Sequence, residues 1–171
     1  MAFYALYALG LAICLLGAWL LYKQVSALKT TMAFQKNFLK SHSEAIRFQS
    51  DQGWMWIDVL LPLLSLSAAT QAQSFLTAES SVAPEMLCFI GIAIFCASRA
   101  VSHANDGRMV FYPQGFIYHD EDIPYSSVRS LVPAGNQVEV KTRKTALLIS
   151  KKQASEVEKR MKEWKKAKHS R

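Results

Sequence analysis

The chain has 171 residues, 51% of them hydrophobic, with 20 Lys or Arg against 13 Asp or Glu, a net charge of +7 and a pI near 9.4. A mean hydropathy of +0.08 averages two unlike parts: an apolar portion to about Val101, and a water-soluble tail from Asn105 to Arg171 with 14 basic and eight acidic side chains, net +6. Cys14, Cys88 and Cys96 lie in apolar stretches without grouped His or acid partners, which excludes a disulfide framework and a metal site, and the basic tail carries no nucleic-acid recognition motif.

Residues 1–22 contain no charged side chain, and about 20 apolar residues cross the ~30 Å hydrocarbon core as a helix. A basic n-region and a small-x-small cleavage site are both missing, so the segment reads as a retained anchor rather than a signal peptide. Trp19, Tyr22 and Lys23 at its end suit the headgroup layer. Residues 23–53 form a basic loop, Lys23, Lys29, Lys36, Lys40 and Arg47 against Glu44 and Asp51. Within it Val25, Leu28, Met32, Leu39 and Ile46 recur at helical spacing, with Gln35 and His42 completing the seam, which predicts a helix continuing inward from the first span. Three arrangements compete for that helix: a coiled coil with a second copy, an interfacial helix burying Phe34, Phe38 and Phe48 in lipid, and packing against the protein's own tail.

A second span is expected over 54–76, with Asp58 and Pro62 inside it. Its polar second half, Ser65, Ser67, Thr70, Gln71, Gln73 and Ser74, is expected to face other helices or a wet crevice. Residues 77–85 form a short loop with two acids and no Lys or Arg. A third span over 82–101 requires Pro84 and Glu85 at one interface and Arg99 snorkelling to the other. Basic residues of short loops stay cytoplasmic, so 23–53 and the tail are expected inside, the 77–85 loop and the N-terminus outside. This topology sets Asp58 and Arg99 at similar depth in antiparallel helices, where they are expected to pair or share water; independent snorkelling is the bland alternative.

The tail, 105–171, changes from helical runs to short alternating strands, expected at 109–112, 115–119, 123–132, 137–143 and 145–150. Pro113-Gln114-Gly115, His119-Asp120-Glu121-Asp122 and Pro133-Ala134-Gly135-Asn136 supply the turns. Ser150 then caps a closing helix, with Gln153 placed for a capping box. Ala154, Val157, Met161 and Trp164 form its apolar stripe. On the opposite face Lys151, Lys152, Lys159, Lys162, Lys165 and Lys166 form a candidate contact for anionic lipid or a partner protein.

The run Val110-Phe111-Tyr112-Pro113-Gln114-Gly115-Phe116-Ile117, the stretch Ile123-Pro124-Tyr125-Ser126-Ser127-Val128, and the strand pair and helix of 137–166 resemble the C-terminal part of PH-like domains on small bacterial inner-membrane proteins. In those families a strand-turn-Gly-strand opening leads into an Ile-x-aromatic-x-x-Ile/Val stretch, matched here by Ile123, Tyr125 and Val128. The resemblance implies a partial PH-like domain of four or five antiparallel strands closed by an amphipathic helix, against the seven strands of a full PH barrel. The expected fold is therefore three transmembrane helices plus a small cytoplasmic α+β domain.

No carboxylate pair, Gly-rich phosphate loop or nucleophile elbow can be pointed to, so a non-enzymatic protein without cofactors is expected. Two functional readings follow. One is a membrane-anchored interaction module at the inner leaflet, meeting anionic headgroups or a partner protein. The other is a membrane-embedded, oligomeric transport subunit or immunity-type protein acting through the polar second span.

Overall fold

The computed structural model describes residues 2–50, 55–74 and 84–169. The chain divides into two compact units, each discontinuous in sequence: Met1–Lys29 with Gln52–Ala104, and Thr30–Asp51 with Asn105–Arg171. Most of the expected external loop, residues 77–83, lies outside the described residues, as does the edge of each neighbouring span.

The first unit is built from helices. α1 (Ala2–Ser41) begins in it and continues without a break for 40 residues, about 60 Å at 1.5 Å per residue, so the expected anchor and the helix after it are one element. α2 spans Met55–Ser74 and α3 spans Pro84–Asp106. Two helices, α1 and α3, are long and apolar enough to cross a membrane, where three were expected; the described apolar run of α2, Ile57–Gln71, is shorter. That run coincides with the part of α2 whose side chains are described, which is short of the roughly 20 residues a span needs. Of the polar second half of α2, Ser67, Thr70 and Gln71 are exposed, and Thr70 Oγ1 donates to the Ser67 carbonyl at 2.8 Å.

α1 and α3 cross where both lack side chains. A Cβ on Gly91 would fall 2.6 Å from Ile13 Cγ2 and 3.1 Å from the Cys14 backbone nitrogen, and one on Gly17 would fall 3.3 Å from the Gly91 carbonyl oxygen. Close backbone approach of this kind is how helices associate when there is no water to drive large apolar side chains inward. Cys14 Sγ donates to the Leu87 carbonyl at 3.1 Å across the same crossing, and all three cysteines are free.

Among the described residues the second unit holds seven strands, not four or five. β1 (Ile46–Gln49), β2 (Arg108–Tyr112), β3 (Gly115–Tyr118) and β4 (Glu121–Pro124) form one antiparallel sheet in that order, and β5 (Val128–Ala134), β6 (Gln137–Thr142) and β7 (Ala146–Ser150) form another. Two local causes account for the difference. The expected 123–132 strand breaks at Pro124, where a 3-10 turn over Tyr125–Ser127 separates β4 from β5. β1 comes from the basic loop: Ile46, read as the end of a helical seam, pairs with Phe111 instead. Glu121 and Asp122, read as turn acids, lie on β4, and the Tyr112 hydroxyl donates to Asp122 Oδ1 at 2.6 Å.

Gly115 is demanded by the β2–β3 turn, since a Cβ there would collide with the Ile123 carbonyl oxygen and lie 2.7 Å from Pro124 Cα. The β3–β4 turn holds His119 at φ 55, a left-handed conformation that His adopts more readily than most residues. Met109, Phe111, Phe116, Tyr118 and Ile123 of the first sheet join Val140 and Ile149 of the second in one core, which Ala154 and Val157 close from α4 (Lys151–His169). The distal part of α1 packs here too: Phe38 and His42 stack at 4.0 Å, and Phe38 lies 5.2 Å from Tyr112.

The β1–β2 pair is therefore a hairpin whose connection, residues 50–107, contains α2 and α3. Loop-closure entropy rises only slowly with length, so such an insertion is tolerated if its two ends are held. They are held by a small polar knot. The Ser50 backbone N–H donates to the Gly107 carbonyl at 2.9 Å, the Ser50 and Ser150 hydroxyls lie 3.1 Å apart, and Gln153 Nε2 donates to the Asp106 carbonyl at 2.7 Å.

Candidate functional site

Two groups of candidate residues stand in different units. In the first unit Asp58, 5% exposed, sits in the opening turn of α2, and Arg99 in the closing part of α3. The two expected partners do meet, with Arg99 Nε 3.8 Å from Asp58 Oδ1. The nearer partner was not foreseen: His103 Nδ1 lies 2.8 Å from Asp58 Oδ2. Its N–H does not point along that line, so the contact is a close ionic one when the imidazole is protonated rather than an aligned hydrogen bond. His103 follows Arg99 by four residues and so shares its helix face, a signal that was legible once Arg99 had been singled out. Arg99 keeps more than half of its side chain exposed, which makes His103 the principal neighbour of the buried carboxylate.

In the second unit α4 starts as its sequence predicts. Gln153 Oε1 accepts from the Ser150 N–H at 2.8 Å and the Ser150 hydroxyl accepts from the Gln153 N–H at 3.2 Å, the reciprocal capping box. Ala154 and Val157 are buried, with Met161 and Trp164 packed against the core. This fixes the rotation of the helix, so that Lys151, Lys152, Lys159, Lys162, Lys165 and Lys166 are all exposed. At 100° per residue the six fall within an arc of about 140°. Lys162 pairs with Glu158 at 2.7 Å, and that hydrogen bond, with the Lys162 charge, lowers the Glu158 carboxyl below its usual range. The face remains strongly cationic.

Three phenols of the second unit, Tyr112, Tyr118 and Tyr125, have raised pKa values. Burial is the first cause for each; Asp122 adds to it at Tyr112 and Asp106 at Tyr118. Tyr125 is pushed up to about 12, with Arg160 opposing the rise and Glu156 and Glu163 adding to it. These shifts hold the phenols neutral and make them packing residues. His119 lies between Asn105, 3.2 Å from its Nδ1, and Asp106, 3.5 Å from its Nε2, which orients the ring at the end of β3. Among the described residues no three His, Cys, Asp or Glu side chains converge as metal ligands.

No protein-family model, no curated protein and no solved structure matches this chain.

Proposed function

We propose that this chain is a non-enzymatic membrane-anchored interaction protein, its helices embedded in a cell membrane and its basic second unit cytoplasmic. The observation that carries the reading is the β1–β2 ladder. Ile46–Gln49 pair with Arg108–Phe111, so both ends of the α2–α3 insertion lie on one side of any membrane. The insertion must then cross an even number of times: both α2 and α3 cross, or neither does. α3 is long and apolar enough to cross, which favours three spans in all with α2 supported by its neighbours despite its shorter apolar run. The excess of Lys and Arg in 23–53 and after Arg99 supports a second unit inside, with the 77–85 loop and the N-terminus outside.

Seven strands arranged as four and three and closed by a C-terminal helix support a PH-like second unit, fuller than the partial domain expected, with its first strand supplied from before the inserted helices. The lysine face of α4 is then the surface offered to anionic headgroups or to an acidic partner protein, each exposed cation near a charged bilayer adding about 1 kcal/mol. A second reading, an oligomeric membrane-embedded protein acting through α2, draws support from the exposed Ser67 and Thr70, which suit a partner helix better than lipid tails.

Topology reporters test the proposal. Reporters near Gln35 and after Arg171 should both read cytoplasmic, and one at Ser80–Ser81 external. Opposite sides for the first two would contradict the strand pairing itself. A cytoplasmic reading at all three would mean that α2 and α3 do not cross.

A further inference from the structure

Between the distal part of α1 and the β1–β2 pair lies an open groove of about 550 Å³, lined by Met32, Gln35, Lys36, Arg47, Arg108 and Met109 among others. Its lining contains three cations and no acid. Two of its donors are buried without an acceptor. Gln35 is only 6% exposed, and its Nε2 has no hydrogen-bond partner; neither has the buried Nε of Arg108. A buried amide or guanidinium N–H left unpaired is destabilising by an amount comparable to a whole hydrogen bond, and such groups are normally satisfied. Both unsatisfied groups are donors, and among the described residues that line the groove no acid offsets its three positive charges. What the groove lacks is an acceptor with negative charge.

We propose that this groove binds a single phosphate-bearing ligand. The guanidinium forks of Arg108 and Arg47 match phosphoryl oxygens two at a time, Lys36 adds charge at the exposed wall, and the Gln35 amide supplies a buried neutral donor. Three cations and several N–H groups suit the three acceptor oxygens and near-double charge of a phosphate monoester better than one carboxylate. Met32 and Met109 give the remaining wall an apolar character, fit for the carbon atoms next to the phosphate. None of the α4 lysines lines the groove, so this site is separate from the surface proposed above.

The test uses the full-length chain in uncharged detergent. Calorimetric titration and thermal shift are run with inorganic phosphate and glycerol phosphate in one arm, and with short-chain phosphatidic acid and phosphatidylglycerol in the other. One-to-one binding in at least one arm is expected. Binding in the soluble arm identifies the phosphate group as sufficient, and binding in the lipid arm alone identifies a headgroup. Arg47→Gln, at an exposed position where folding is not at risk, and Arg108→Gln should each weaken binding about tenfold or more, the scale of a lost charge-assisted hydrogen bond. Gln35→Leu should weaken binding while raising the melting temperature of the unliganded protein, because it removes an orphaned donor. Lys151→Gln with Lys152→Gln should leave the titration unchanged. Saturable binding in neither arm overturns the proposal, as does an affinity preserved within about twofold in both arginine variants. Loss of binding in the α4 variant alone would assign the phosphate to the lysine face instead.

Discussion

The two units bury opposite kinds of residue. In the first, the fully buried positions among the described residues are Gly10, Gly17, Asp58, Ala69, Gly91, Ala93 and Ser98, and none is larger than aspartate. Its large apolar side chains point outward, Leu15 64% exposed, Trp19 57% and Leu64 65%. In the second, Met109, Phe111, Phe116, Ile117 and Ile149 are each at most 1% exposed, while the lysines of α4 face outward. A unit folded by water hides its large hydrophobes. One that hides small residues and displays leucine relies on close helix contact, a pattern compatible with an apolar surround. The boundary between the two patterns falls inside α1, after Lys29, and at the ends of the α2–α3 insertion.

The sharpest way to break this comparison is to separate the units. A fragment of 105–171 lacks β1 and the distal part of α1, leaving β2 as an edge with Phe111 and Val110 uncovered, and it should fail to give a cooperative unfolding transition. Residues 30–50 joined to 107–171 through a short turn should fold as a soluble domain without detergent, since the Ser50 N–H and Gly107 carbonyl already lie 2.9 Å apart. Circular dichroism and thermal melts decide it. A fusion that remains insoluble would show that the second unit depends on the helices.

Side-chain volume gives the next effects. Phe111→Ala should destabilise the second unit by about 3–5 kcal/mol through the cavity it leaves. Its mirror image is Gly91→Leu, which adds bulk where α1 and α3 touch and should destabilise the first unit by about 1–3 kcal/mol or spread the helices, read as increased cysteine labelling at Cys14. Gly91→Leu without consequence would show that this crossing is not what holds the helices.

What was legible in the sequence was local. The capping box of Ser150 and Gln153, the Ala154–Val157–Met161–Trp164 stripe and the tail strands other than the broken 123–132 run depend on neighbours a few residues away, and these appear in the structure. Asp58 and Arg99 were found because a charge in an apolar run stands out whatever surrounds it. β1 was missed because Ile46–Gln49 is four residues long and its partner strand begins beyond two inserted helices; no local pattern announces that pairing. The burial of Gln35 has the same origin. It reads as a flaw in a helical seam until a sheet is packed beside it.

The charged cluster of the first unit offers a smaller effect with a clear ranking. Asp58→Asn, His103→Gln and Arg99→Gln should each lower the melting temperature in detergent. In double-mutant cycles Asp58 and His103 should couple by about 1 kcal/mol, because they lie 2.8 Å apart and Asp58 is buried. Coupling of Asp58 with Arg99, at 3.8 Å and more than half exposed, should be weaker. The reverse ranking would make Arg99 the principal partner and His103 a bystander.

The smallest effect tests whether the second unit is governed by burial in the ordinary way. Tyr125 is 3% exposed, and its hydroxyl is buried without a partner. Tyr125→Phe therefore removes an unsatisfied polar group and keeps the ring against Phe116 and Trp164, so stability at neutral pH should be unchanged or slightly higher. The difference emerges in alkali. Burial pushes the folded pKa up to about 12, against about 10 for an unfolded tyrosine, so the fold binds the phenolic proton more tightly than the unfolded chain does. The associated stability is fully present below about pH 10 and is lost as the pH rises from there towards 12. Tyr112 and Tyr118 are raised as well and contribute losses of the same sign. Tyr125→Phe should therefore flatten the alkaline decline without abolishing it, measured as the denaturation midpoint at several pH values up to about 11. A variant that declines as steeply as the native chain would mean that the Tyr125 hydroxyl reaches water, and that this part of the core is looser than its burial implies.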